Sequence, residues 1–167
     1  MALNNEEIIS FLNESFPSAI LATETPYELL SIEINPDKNV EIIEALKNHA
    51  HFDFIFLTDI CGIHYPDNKG KEVGIIYHLH SLVHNFRLRL KAFMPENNTE
   101  IRTLVNLYAS ANWMERETYD FFGIRFIGHP DLRRILNVDH MEMFPLLKQY
   151  PLEDSSRTDK DDRFFGR

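Results

Sequence analysis

His78 and His80 are two residues apart, and on a β-strand that spacing puts both imidazoles on one face. With His64 or His84 they would offer a metal three ligands, the minimum for a zinc centre. The simpler reading is a pair of hydrogen-bonded strand histidines; a free-standing metal enzyme using His78 and His80 is kept as the remote alternative. His49 and His51 fall at a helix end, where they complement the dipole. The single cysteine, Cys61, cannot form an internal disulfide, a CxxC redox pair or a four-thiolate site. It follows an apolar run and reads as a small buried hydrophobe rather than a nucleophile.

Glu115, Glu117 and Asp120 lie in one helical stretch. Acid–base catalysis would need their environments to differ. Structural roles account for them more simply: Glu115 closes a capping box opened by Asn112, and Arg116 and Asp120 are i,i+4 partners. Asp131, Arg133 and Arg134 follow His129-Pro130. Paired arginines suit carboxylates or phosphates. The aromatic residues around them (Trp113, Tyr119, Phe121, Phe122, Phe126, Phe144) favour a protein interface. The six glycines make neither a dinucleotide fingerprint nor a P-loop, and there is no zinc-protease or nucleophile-elbow motif.

The elements that must carry these residues follow from periodicity. Asn4 to Phe16 and Val40 to Ala50 have apolar residues at helical spacing. Ala19 to Thr23, Tyr27 to Ile34 and Asp53 to Ile60 read as strands. Glu72 to Leu82 and Asn85 to Met94 read as a hairpin around Val83-His84, with Arg87, Arg89 and Lys91 forming a basic face on the second strand. Glu100 to Ala111 has helical spacing. A further helix runs from the Asn112 cap to Gly123, a left-handed terminator. Ile124 to Ile127 is a short strand. The expected class is α+β: a mainly antiparallel sheet with helices on one side, followed by an extended C-terminal segment. The division is an α+β domain over 1–127 and the segment over 128–167. A stretch of that length without regular structure is either disordered or laid over another protein.

The chain has 167 residues, 44% of them hydrophobic and 26% charged, ordinary for one globular domain. The formal net charge is −9, and residues 1–60 carry all of it, with eleven acids against two bases. The remainder is balanced at 15 of each. An acidic chain disfavours nucleic acid and anionic membranes as partners. No signal peptide and no bilayer-spanning run are expected, and the lone thiol fits a reducing compartment.

The stretch Glu115-Arg116-Glu117-Thr118-Tyr119-Asp120-Phe121-Phe122-Gly123-Ile124, then Phe126, and Gly128-His129-Pro130-Asp131-Leu132-Arg133-Arg134-Ile135-Leu136 resembles the signature of the 30-kDa subunit family of respiratory complex I, the C subunit of the bacterial NADH:quinone oxidoreductase. Leu57-Thr58-Asp59-Ile60-Cys61-Gly62, Tyr77-His78-Leu79 and Arg87-Leu88-Arg89 resemble its β-rich middle. Pro145-Leu146, Lys148 and Tyr150-Pro151-Leu152 resemble the segment after the signature. Asp139 to Phe144 departs from it: members often carry a glycine-rich stretch with histidine there.

The resemblance implies a non-catalytic scaffold subunit of the peripheral arm of the proton-pumping enzyme, with the translocase activity belonging to the complex. It implies no cofactor in this chain, and iron–sulfur clusters, FMN and quinone in partner subunits. It implies docking of residues 112–152 against the 49-kDa-type (D) subunit, near the iron–sulfur subunits, on the cytoplasmic side of the inner membrane. The interface residues so implied are Glu115, Arg116, Glu117, Tyr119, Asp120, Gly123, His129, Pro130, Asp131, Arg133, Arg134 and Lys148. An equivalent subunit of another complex-I-like dehydrogenase or membrane-bound hydrogenase is the near alternative.

Overall fold

The computed structural model describes residues 3–151. The expectations for the tail from Leu152 onward lie outside the described residues. Three helices, α1 (Asn5–Ser15), α2 (Asn39–Asn48) and α3 (Ala111–Phe122), accompany a five-stranded sheet of β1 (Ile20–Glu24), β2 (Leu30–Ile34), β3 (Phe56–His64), β4 (Val73–Ser81) and β5 (Phe86–Met94). Two three-residue strands, β6 (Glu100–Arg102) and β7 (Arg125–Ile127), form a separate parallel pair. The large sheet has the order β1-β2-β5-β4-β3. All its pairings are antiparallel except β2 with β5. That exception follows from the route of the chain: after β2 it crosses through α2 to the far edge and returns by the β3-β4-β5 meander. The expected α+β class with a mainly antiparallel sheet is what the chain adopts.

The sheet is amphipathic by alternation. Leu88, Leu90, Ala92 and Met94 of β5 and Ile75, Tyr77 and Leu79 of β4 point into the core. All three helices lie on that face. Ile8 and Leu12 of α1 and Ile42, Ile43 and Leu46 of α2 are fully covered. Asn39 at the start of α2 donates to the Tyr77 hydroxyl (3.2 Å), and Thr118 of α3 donates to the Ile60 carbonyl (3.3 Å). The opposite face of the sheet has no helix over it among the described residues. It carries Asp59, Cys61, His78, His80, Arg87, Arg89 and Lys91 in adjacent registers.

Some local expectations fail, and the strand expected over Tyr27 to Ile34 begins only at Leu30, because Tyr27 and Glu28 take left-handed φ. Glu100 to Ala111 is not a helix: it is strand β6 followed by isolated turns. Ile101, Leu104 and Tyr108 are buried as their spacing demanded, but the backbone donors go elsewhere. Thr103 N–H bonds the Ile127 carbonyl and Leu104 N–H bonds the Glu115 carboxylate. Single turns onto Leu104 satisfy the i,i+3,i+4 pattern, and the β-branched Ile101, Thr103 and Val105 add little helix preference. The strand expected over Asp53–Ile60 starts later, because Asp53 adopts a left-handed conformation (φ 52°) and closes a turn onto Ile55. Helix α3 starts at Ala111 after Ser110, whose side chain makes no cap bond, so the Asn112–Glu115 capping box does not form.

Candidate functional site

The C-terminal part of α3 organises everything that follows it. Asp120 is fully buried, and its carboxylate is a hub. Oδ1 accepts from Arg134 Nη1 (2.7 Å). Oδ2 accepts the successive N–H groups of Ile135 (3.1 Å), Leu136 (2.8 Å) and Asn137 (2.9 Å). Burial alone would raise this carboxyl's pKa; the three amides and the guanidinium outweigh it and hold the group well below the usual carboxylate range. Arg134 then spreads outward. It donates to the Asp120 carbonyl (2.9 Å), to Met141 O (2.6 Å) and to Met143 O (2.9 Å), and it stands over the Phe144 ring. One ion pair therefore fixes the backbone from residue 134 to 143.

Other side chains extend the clamp. Arg116 does not pair with Asp120 across one helical turn as its spacing suggested. It donates to the carbonyls of Arg133 (3.2 Å) and Arg134 (3.3 Å) and lies over Trp113. His129 accepts from the Asp131 amide on Nδ1 (3.0 Å), which leaves Nε2 to donate to the Asn112 carbonyl (3.2 Å). Leu146 N–H bonds the Phe121 carbonyl, and Lys148 N–H bonds His64 Nδ1 (2.9 Å). Phe144 sits against Gly123, whose φ of 74° ends α3 as expected. Residues 128–151 thus lack helix and strand, yet their inner side is laid over this chain's own α3.

The twelve residues singled out divide by depth. Glu115 is interior: it accepts from Thr103 Oγ1 (2.5 Å) and Leu104 N–H (2.6 Å). Burial pushes its carboxyl up to about 7, against the lowering effect of those two bonds. Asp120, Arg116 and the Arg134 side chain are also buried. Tyr119 and Gly123 are half-buried along the clamp, as is His129. Glu117, Pro130, Asp131, Arg133 and Lys148 are exposed. Asp131 and Arg133 hold each other in a two-bond fork (2.7 and 2.8 Å). Sequence reasoning missed Thr103 and the Met141 and Met143 carbonyls, and offered His64 only as a metal ligand. Nothing in helical or strand spacing marks them: the contacts join residues from 7 to 84 apart in the chain, outside either period.

The outer side of the segment carries apolar side chains among charged ones. Leu136 is 65% and Val138 53% exposed, with Met143 and Leu146 also outward. Beside them is a recess of about 540 Å³ lined by Tyr119, Arg133, Arg134, Asp139 and Phe144.

The histidine pair does not come together as a metal site. His80 turns to Asn85 (3.4 Å) and sits near the Phe56 ring. His78 instead meets Asp59 and Cys61, whose ligating atoms lie within 4.8 Å of one another and of its own. Arg89 Nε donates to His78 Nε2 (3.1 Å). That bond makes Nε2 an acceptor and puts the proton on Nδ1, the atom that faces Asp59. A cation there would have to displace that proton and settle beside a guanidinium. Burial, then Arg89, depresses the His78 pKa, while burial and Asp59 raise the Cys61 thiol. Cys61 is only half-buried, on the open face of the sheet rather than in the core.

The profile of the family described as "Respiratory-chain NADH dehydrogenase, 30 Kd subunit" matches residues 32–156. Proteins named as the C subunit of NADH-quinone oxidoreductase are similar over most of the chain. That of Mycolicibacterium gilvum is 38% identical over 84% of this chain and 62% of its own length. That of Streptomyces coelicolor is 41% identical over 74% and 49%, and that of a Roseiflexus species 35% identical over 99% and 96%. The chain therefore spans half to two thirds of the first two relatives and nearly all of the third. Among solved structures, a trypsin-resistant fragment of Nqo5 is 30% identical with a TM-score of 0.64, covering 75% of this chain and 98% of the fragment. A chain of an archaeal membrane-bound sulfane sulfur reductase, at 23% identity and a TM-score of 0.73, covers 88% of this chain and 85% of that one; it shares the fold.

Proposed function

The chain belongs to the respiratory-chain NADH dehydrogenase 30 Kd subunit family, and from that premise we propose that it is a non-catalytic scaffold subunit of the peripheral arm of a proton-pumping NADH:quinone oxidoreductase. The reading places it against the 49-kDa-type (D) subunit and close to the iron–sulfur subunits, on the cytoplasmic side of the inner membrane. FMN, the clusters and quinone belong to those partners, and this chain supplies shape. Among the described residues no helix is long and apolar enough to cross a membrane; in this reading its place there is peripheral, through the subunits it binds.

One observation carries the reading. Residues 128–151 are pinned from within by Asp120, Arg134 and Arg116, while Leu136, Val138, Met143 and Leu146 face outward. Pre-ordered apolar side chains beside a charged fork suit a docking surface, because little ordering entropy is left to lose. Arg133 and Asp131 form that fork.

The test is co-purification of the peripheral arm from cells carrying Arg133→Ala or Leu136→Ala. Both side chains are exposed, and a solvent-screened surface fork adds little to folding. A charge desolvated in an interface costs about 2–5 kcal/mol when its partner is removed. Recovery of the 49-kDa-type partner is therefore expected to fall while the melting temperature of the variant chain stays near that of the parent. Unchanged recovery for both variants would overturn the reading. Identifying the recovered partners also separates this enzyme from other complex-I-like machines.

A further inference from the structure

The open face of the sheet has a built polar order that the docking of residues 128–151 leaves unused. One row crosses all five strands by register: Glu24 on β1, Ser31 on β2, Arg89 on β5, His78 on β4 and Asp59 on β3. The next row sets Arg87 beside His80. Lysines on this face are spent: Lys91 pairs with Glu24 and Lys71 with Glu33. The two arginines are not. Among the described residues neither Arg87 nor Arg89 forms an ion pair, and the one bond Arg89 makes goes through Nε to the neutral ring of His78. That bond fixes the guanidinium plane and leaves its Nη donors over. Two residues apart on one strand, the two arginines stand about 7 Å apart at their Cα atoms. Like charges that close repel unless an anion lies between them.

Beside them is a recess of about 570 Å³. Arg87, Arg89 and Asn85 form one wall and Tyr27, Glu28 and Leu29 the other. Tyr27 is fully exposed and sits with Glu28 in the left-handed region (φ 53° and 64°). At the end of the β4–β5 hairpin, Leu82, Val83 and Phe56 are exposed as well. Arginine and tyrosine over an apolar margin is the composition of protein-binding centres.

We propose that this face, centred on Arg87, Arg89 and Tyr27, docks a short acidic segment of a partner protein, with the two guanidinium groups receiving its carboxylates. The occupant is a short segment and not a polyanion. Glu28 lines the recess, Glu24 and Asp59 lie in the same row as Arg89, and the first 60 residues carry a net charge of −9. Such a rim repels nucleic acid or an anionic membrane and admits two or three carboxylates placed to meet the arginines. The inference does not depend on the scaffold reading, which concerns α3 and the segment laid over it.

The test uses the full chain in cells that assemble its complex, with the photo-crosslinker benzoylphenylalanine in place of Tyr27. The expected product is an adduct with one partner protein, whose attached peptide has two or more Asp or Glu within about five residues. Arg87→Glu is expected to cut the adduct roughly tenfold and Arg87→Lys to retain it. In a lysate of the same cells, raising NaCl from about 0.05 to 0.5 M before irradiation should weaken it in the parent, an arm that does not depend on any variant folding. The proposal is overturned by no adduct above that of a probe at Glu14, by an attached peptide without acids, by an adduct to lipid, nucleic acid or a second copy of this chain, or by one indifferent to both Arg87→Glu and salt.

Discussion

Glu115 and Asp120 lie on the same helix, and both are fully buried, yet their surroundings drive them apart. Asp120 has a guanidinium and three amides, so its ionised form is the stable one. Glu115 has one hydroxyl and one amide, too little to offset burial, and its carboxyl rises to about 7 from an ordinary 4.5. A carboxyl raised in the folded state stabilises fully below its unfolded value, and the contribution is lost as pH climbs through the folded one. At about 1.4 kcal/mol per unit, the change across pH 5 to 8 is about 3 kcal/mol from this group. Glu115→Gln keeps the shape and cannot ionise. Its melting temperature is expected to match the parent at pH 5 and exceed it at pH 8; equal pH slopes for the two proteins would count against this account. The sequence marked both acids as structural but suggested the wrong partners. Helical spacing encodes neighbours three or four residues away, whereas Glu115 binds Thr103 and Leu104 and Asp120 binds residues 134–137.

Elements were legible where a pattern had a single physical meaning. The alternation along β4 and β5 could only be a half-covered strand, and the Gly123 stop appears where expected. Glu100 to Ala111 was illegible because turns bury the same residues that a helix would. The union of α3 with β3 was invisible in the sequence and rests on a missing side chain. At Gly62 the Phe122 ring occupies the place a methyl would take, so the ring of the helix residue lies directly on the backbone of the edge strand. Gly62→Ala is expected to cost about 1–3 kcal/mol by overpacking, read as a lower midpoint in urea. An unchanged midpoint would show that α3 can shift freely on the strand.

At the scale of the whole molecule, the open question was the long segment without regular structure, expected to be disordered or laid over another protein. Residues 128–151 are held by a buried ion pair of their own chain. Breaking such a pair costs about 3–5 kcal/mol, so the amides of Ile135, Leu136 and Asn137 should exchange with solvent as slowly as core strands. Asp120→Asn should release them while leaving β4 and β5 protected, as followed by hydrogen exchange. Fast exchange of these amides in the parent would refute the clamp. The parallel pairing of β2 with β5 has a consequence for the order of events during synthesis. Strand β2 is made early, but the strand it must join ends at Met94, some sixty residues later. Until β5 has emerged, the β1–β2 hairpin has an unpaired edge, the condition in which nascent chains stick to one another. The same first third holds the entire charge imbalance of the protein. Mutual repulsion among these acids keeps neighbouring nascent chains apart, so the acidity of the N-terminal third protects the hairpin while it waits for its partner strand.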